Sequence, residues 1–254
     1  MKKCYLAGYG NCGGKLSAEH YISKSVLTQI AKNGTIQIGG LPFQPKDTFQ
    51  IFGIESLVAN ILCQSHNCDF SHLDEVAKDF FFALNAVDKE PDKVADLFSV
   101  NGRLVERWLL KILCGMAAGI GSNNGVVSEN WAKLLLGQKW PAGWGLYVPS
   151  PPGPIVLAGE CYIATKINPA TKEVVAAHFR VAGVHLHLLL GRPFPHEMWG
   201  NYRPRGFIFR DSFGVNKEKR VEFDWPFKTN VAVIYIRQGT TVHGVPQWEG
   251  WKPA

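Results

Sequence analysis

The stretches "CYLAGYGNC" (Cys4–Cys12) and "CQSHNC" (Cys63–Cys68) carry four of the six cysteines in this 254-residue chain. His20 and His66 lie in the same third of the sequence. Two separated groups of Cys and His are the usual way a chain builds a tetrahedral zinc centre, because Zn²⁺ takes thiolate sulfur and imidazole nitrogen. Cys4, Cys12, Cys63 and His66 would supply a Cys3His set. Cys68 can replace His66, and the sequence leaves both open. Either choice constrains the fold more than any hydrophobic pattern does. The start of the chain must lie against residues 63–66, and everything between must loop out and return. Cys114 and Cys161 sit in apolar runs and read as buried small hydrophobes.

Hydrophobic residues make up 46% of the chain, enough for a real core. Their periodicity divides the sequence into three parts. Residues 1–90 read as a small α+β module. In it "TIQIGG" (Thr35–Gly40) alternates as a short strand, and Pro42 and Pro45 make the next segment a loop or a broken edge strand. From His66 onward, Leu73, Val76, Ala77, Phe80, Phe81 and Leu84 recur at spacings of three and four, which predicts a helix with one buried face. Residues 91–140 read as a helical segment. "NGRLVERWLLKILCGMAAGIG" predicts a central apolar helix, and "SENWAKLLLG" a short one capped by Ser128. Residues 141–254 read as an antiparallel β-rich region of short strands separated by turns such as "NPATKE". The expected fold class is α+β. No run of eighteen apolar residues occurs, and no apolar stretch follows "MKK". The expectation is a cytoplasmic protein with reduced thiols and no membrane contact.

Between the two cysteine groups stands Glu19-His20, and after the second stands Asn67 at the head of a helical pattern. The order is C-x7-C, then E-H, then C-x2-H-N followed by "FSHLDEVA". In that order residues 4–85 resemble the HNH endonucleases, the ββα-metal nucleases with a zinc knuckle. The chain departs from the family pattern in four places. The first pair is C-x7-C where C-x2-C is commoner, and the second ends in His66 rather than Cys. The middle Asn has no clear match, with Asn60 and Ser56 as alternatives. Asn67 stands where many family members have His.

The resemblance implies a metal-dependent endonuclease that hydrolyses phosphodiester bonds of nucleic acid, DNA in the first place. It implies a zinc-stapled ββα-metal module over residues 1–90, with structural Zn²⁺ on Cys4, Cys12, Cys63 and His66. His20 would be the general base, and a catalytic Mg²⁺ or Mn²⁺ would sit on Glu19 and Asn67. The products would carry 5′-phosphate and 3′-hydroxyl ends. A single site nicks one strand, so cutting both would call for a homodimer. The residue types suit the chemistry. A neutral imidazole accepts a proton near pH 7. Hard oxygen donors suit Mg²⁺, which offsets charge on the scissile phosphate.

Charge is uneven: the net balance is −1 over residues 1–90, +2 over 91–140 and +5 over 141–254. Within the basic tail Arg203, Arg205 and Arg210 are interleaved with Tyr202, Phe207 and Phe209, and Lys217, Lys219 and Arg220 follow. Arginines among aromatics suit phosphate contact and base stacking, so the tail is expected to bind substrate or contact a partner protein. Each candidate also has a plainer role. Glu19-His20 can be a surface dipeptide, Asn67 a helix N-cap, and Asp74 and Glu75 first-turn acids favoured by the helix dipole. His72 reads as a helix-surface residue, and the arginines as the wet face of a sheet. His185 and His187 alternate on one strand face with no third ligand evident nearby in the sequence. Two rival expectations follow. One is a catalytically inactive zinc protein that binds nucleic acid or a protein partner. The other is an enzyme whose site lies around His178, His185 and His187.

Overall fold

The computed structural model describes residues 3–45, 48–89, 95–121, 126–149, 160–192, 200–210, 218–226, 234–237, 241–242 and 245–246. In chain order it begins with β1 (Leu16–His20), α1 (Lys24–Ile30), β2 (Thr35–Gly39) and β3 (Phe49–Gly53). Next come β4 (Val58–Cys63), α2 (Gln64–Asp69), α3 (Ser71–Lys89), β5 (Leu97–Asn101) and α4 (Gly102–Ile120). The chain continues through α5 (Glu129–Leu135), β6 (Gly145–Pro149), β7 (Glu160–Ile167), β8 (Val174–Val181) and β9 (Val184–Leu189). It ends with β10 (Gly200–Tyr202), β11 (Gly206–Arg210), β12 (Glu218–Asp224), β13 (Ile234–Arg237), β14 (Thr241–Val242) and β15 (Val245–Pro246). Helix and sheet are mixed, as the α+β expectation requires.

Among the described residues four sheets organise these elements, the smallest being the antiparallel pair β14 and β15. β1 pairs antiparallel with β4, Leu16 opposite Cys63 and His20 opposite Val58, with a bulge after Ser17. A seven-stranded sheet runs in the order β10-β6-β9-β8-β7-β2-β3, and a four-stranded one in the order β13-β11-β12-β5. The three sequence parts are interleaved. β2 and β3 extend the C-terminal sheet, and β5 forms an edge beside β12. The tail is therefore not purely antiparallel: β2/β7, β5/β12 and β11/β13 are parallel pairs. Strands donated from distant parts of the chain need no hairpin return, so parallel pairing is open to them.

α4 is the central element. Asn101 Oδ1 accepts from the Leu104 N–H at 3.2 Å to cap its start, and Gly121, at φ 83°, ends it. Trp108, Leu109, Leu110, Leu113 and Ala117 of α4 are fully buried. α3 lays against the core the face that its spacing predicts: Leu73, Ala77, Phe80, Phe81 and Leu84 are buried, and Val76 lies at the margin. Each such Leu or Phe contributes about 1.5–3 kcal/mol through removal of apolar surface from water. Ser128 caps α5 as expected, its Oγ accepting from the Trp131 N–H at 3.3 Å. "NPATKE" turns between β7 and β8, closed by Asn168 Oδ1 on the Ala170 N–H at 2.9 Å. Among the described residues no helix is long and apolar enough to cross a membrane.

Candidate metal centre and the adjoining polar network

Cys63 ends β4 and α2 starts at the next residue, so His66 stands one helical turn from Cys63. The Tyr5 N–H donates to the Ile61 carbonyl at 3.0 Å and lays the start of the chain along β4. The Gln64 N–H donates to the Lys15 carbonyl (3.0 Å) and the Ser65 N–H to the Gly13 carbonyl (3.2 Å). This approach explains the pair Gly13-Gly14. A Cβ on Gly13 would lie 2.4 Å from Ser65 Oγ. Gly14 has φ 74°, and a Cβ there would meet Gln64 Oε1 at 2.3 Å.

Four side chains converge as a result. The ligand atoms of Cys4, Cys12, Cys63 and His66 all lie within 4.8 Å of one another. The sulfurs of Cys4, Cys12 and Cys63 are 3.4, 3.6 and 3.3 Å from His66 Nδ1. An ion with Zn–S of about 2.3 Å and Zn–N of about 2.0–2.1 Å in tetrahedral geometry places S and N about 3.5 Å apart. The donor set therefore lies close enough to hold one metal ion, and its chemistry suits zinc. The Cys63 thiol is lowered to about 6. Burial alone would raise it, but the backbone groups of His66 and Gly13 and the neighbouring thiols favour the thiolate. Cys68 is exposed and outside the cluster, so of the two alternatives His66 takes the fourth place.

Glu19 and His20 are neighbours on β1 and point to opposite sides of the strand. Glu19 is only 6% exposed and pairs with Lys111 Nζ of α4. The same ammonium lies 2.8 Å from both carboxylate oxygens of Asp74 on α3. Ser23 Oγ, ahead of α1, donates to Asp74 Oδ1 and accepts from Trp108 Nε1 at 2.7 Å. β1, α1, α3 and α4 thus meet on one chain of buried polar contacts. Burial lifts the Glu19 carboxyl above the usual carboxylate range, and Lys111 partly opposes it. His20 is half-buried, and its Nε2 is shielded from solvent with no hydrogen-bond partner among the described residues. Burial lowers its pKa, with the carboxylate of Glu55 pulling the other way.

Asn67 lies inside α2 rather than at its cap. Its Nδ2 donates to Ser17 Oγ at 3.1 Å, and Ser17 Oγ donates to the Leu62 carbonyl at 3.2 Å. As the side chains stand, Glu19 is taken by Lys111 and the Asn67 amide by Ser17. A divalent cation on Glu19 and Asn67 would have to compete with Lys111 for Glu19, whereas Asn67 makes its contact through Nδ2 and not through the oxygen that would ligate.

Sequence reasoning missed Lys111, Ser23 and Trp108, and read Asp74 only as a first-turn acid. Asp74 does sit in the first turn of α3, but its carboxylate faces Lys111. One signal was available. A lysine within "WLLKILCG", on a helix apolar enough to be central, needs a buried counter-ion from elsewhere.

The tail arginines divide. Arg203 is 9% exposed and forks onto Glu106, Nε to Oε1 at 2.7 Å and Nη2 to Oε2 at 3.0 Å. Glu106 is fully buried and also accepts from the Leu146 N–H at 2.8 Å. Arg203 therefore ties α4 to the seven-stranded sheet instead of facing solvent. Arg205 is exposed and pairs with Glu222 at 3.2 Å. Arg210 ends β11, and its side chain and Lys217 lie outside the described residues. Lys219 is buried against Asp96 at 2.7 Å. Compared with known families, curated proteins and solved structures, the chain matches none.

Proposed function

We propose that this protein is a nuclease of the HNH type, stapled by zinc, with His20 as its general base. The observation that carries the reading is the state of His20. Its Nε2 has no hydrogen-bond partner among the described residues, and burial favours the neutral imidazole. His20 closes a strand whose partner, β4, runs directly into the Cys4–Cys12–Cys63–His66 cluster and a helix. Two antiparallel strands, a Cys3His centre and a following helix support the reading together. In the proposed reaction the half-buried His20 imidazole takes a proton from water as the water oxygen bonds to phosphorus. The bond from phosphorus to the 3′ oxygen breaks, and that oxygen gains a proton from solvent. Glu19 and Asn67 would hold a divalent ion once Glu19 is released from Lys111, and no step is routed through one.

The test is plasmid cleavage with Mg²⁺ or Mn²⁺ supplied, comparing wild type with His20→Ala at equal zinc content. Cleavage by wild type alone is expected. Its rate should rise with pH through an acid limb below the ordinary histidine value of 6.5, because only the neutral base is active and burial lowers the pKa of His20. Equal cleavage by both proteins would overturn the assignment. One observation favours a second reading, a nucleic-acid- or partner-binding protein without catalysis: Glu19 is locked to Lys111. Retarded DNA migration with no cleavage, and none by His20→Ala, would decide for it.

A further inference from the structure

A second convergence of ligand atoms lies on the seven-stranded sheet, away from the cysteine cluster. β8 and β9 form a hairpin whose two turn residues, Ala182 and Gly183, have φ of 49° and 72°. That register sets His178 opposite His187 and Arg180 opposite His185. Ala177, Phe179, Val181, Leu186 and Leu188 belong to the main core, so strand alternation puts the three histidines on the other face.

There His178 Nε2 lies 3.1 Å from His185 Nδ1, the two rings stacked with centroids 5.2 Å apart. The ring of His187 stands at right angles to that of His178, at 4.9 Å. Two imidazole nitrogens bound to one ion at about 2.0–2.1 Å are about 2.9 Å apart at a right angle and about 3.4 Å apart at the tetrahedral angle. The observed separation falls between them. Glu160, the carboxylate nearby, is held by Arg180 at 3.2 Å, and the Arg180 guanidinium rests on the rings of Phe49 and Tyr162 at 5.4 and 5.9 Å. The ion pair leaves the local charge close to neutral. Burial first lowers both, His178 to about 3 with help from the imidazoles of His187 and His185 and then Arg180, and His185 to about 4 with help from Arg180 and then His187. Both rings are neutral at pH 7, the form that ligates metals.

We propose that His178 and His185 chelate a divalent transition-metal ion, of the zinc, cobalt or nickel class, at a site separate from the Cys3His centre. His187 flanks the pair. The site faces the layer that also carries Tyr162 and Arg180, so an anion on the metal's open positions would find a guanidinium beside it.

The probe is Co²⁺ added to full-length protein already loaded with zinc. One further equivalent should bind, with the ligand-field absorption of nitrogen and oxygen donors and without thiolate-to-cobalt charge transfer. His178→Gln and His185→Gln should each weaken that uptake on the order of tenfold or more, at unchanged zinc content and thermal midpoint. Wild-type protein gives a second reading free of any variant. With Zn²⁺ beyond the first equivalent, the ¹⁵N resonances of His178 Nε2 and His185 Nδ1 should both move. Uptake with thiolate charge transfer alone, uptake indifferent to both variants, or unmoved ¹⁵N resonances would each overturn the proposal. The 3.1 Å contact would then be a hydrogen bond between neutral imidazoles.

Discussion

Two largely buried polar assemblies hold the N-terminal third, and they solve the same problem differently. The Cys4–Cys12–Cys63–His66 cluster brings together three thiols and an imidazole, a donor set suited to a metal ion. The Glu19–Lys111–Asp74–Ser23–Trp108 network has its own cation. The first assembly is one that a metal ion from outside the chain would complete, and the second has its cation within the chain. Burying charge is costly, and in the second assembly Lys111 offsets the cost, as a bound metal ion would in the first. The difference predicts different responses to the removal of that cation.

Metal removal should have the largest effect. Structural zinc in small peptides contributes an apparent ~10–16 kcal/mol of binding free energy, much of which is folding free energy. Residues 4–15 reach β4 and α2 through a few backbone hydrogen bonds and the cluster. A strong chelator, or Cys63→Ser, is expected to remove roughly 5 kcal/mol or more, a fall of at least about 10 °C in thermal midpoint at about 2–4 °C per kcal/mol. Scanning the protein with and without chelator, with metal content measured in parallel, checks it. An unchanged midpoint would mean that the cluster staples nothing.

Lys111→Met should come next. It leaves Glu19 and Asp74 facing each other without their cation, and breaking a buried pair from one side costs about 3–5 kcal/mol. Adding Glu19→Gln and Asp74→Asn should recover most of the loss in urea unfolding, because no uncompensated charge remains. The pH dependence has a definite sign. Burial raises the Glu19 carboxyl above its unfolded value, and Lys111 opposes that rise. With Lys111 gone the folded state binds its proton more strongly than the unfolded chain does. Stability of the variant should then fall as pH rises from the unfolded carboxylate range through the folded value, more steeply than in the wild type. A variant as stable as wild type would show that α4 is held to β1 by packing alone.

The same contrast explains what could be read in the sequence. The thiol cluster was legible because its ligands are chemically rare and come in short groups, so Cys4, Cys12 and Cys63 announced themselves, while the choice between His66 and Cys68 waited for the structure. The helical face of α3 and the caps at Ser128 and in "NPATKE" were legible because short-range geometry decides them. The Lys111 network was not, because its members come from four elements and each has an ordinary local explanation. Asp74 passes for a dipole-favoured acid until α4 is placed against it. The same holds for Arg203, which reads as a surface arginine among aromatics until Glu106 is found beneath it. The parallel joining of β2 to β7 left no trace in either strand, since strand periodicity records which face is buried and not which neighbour is paired.

Asn67→Ala should have the smallest effect, and it measures how much lacing α2 has beyond the metal. Among the described residues the Asn67 amide makes one neutral hydrogen bond, to Ser17 Oγ. When it is removed, Ser17 Oγ still donates to the Leu62 carbonyl, so no buried donor is orphaned. The loss should therefore be that of a single neutral bond, about 0.5–1.5 kcal/mol, in urea unfolding at unchanged metal content. A loss as large as that of Lys111→Met would make Asn67 a structural equal of the charge network. No loss would leave α2 anchored by Cys63, His66 and its backbone bonds to Gly13 and Lys15. The substitution also bears on the proposed activity, since the HNH resemblance gives this position a role in catalysis. Cleavage lost at a cost of only about 1 kcal/mol in stability would place Asn67 in the reaction rather than in the fold.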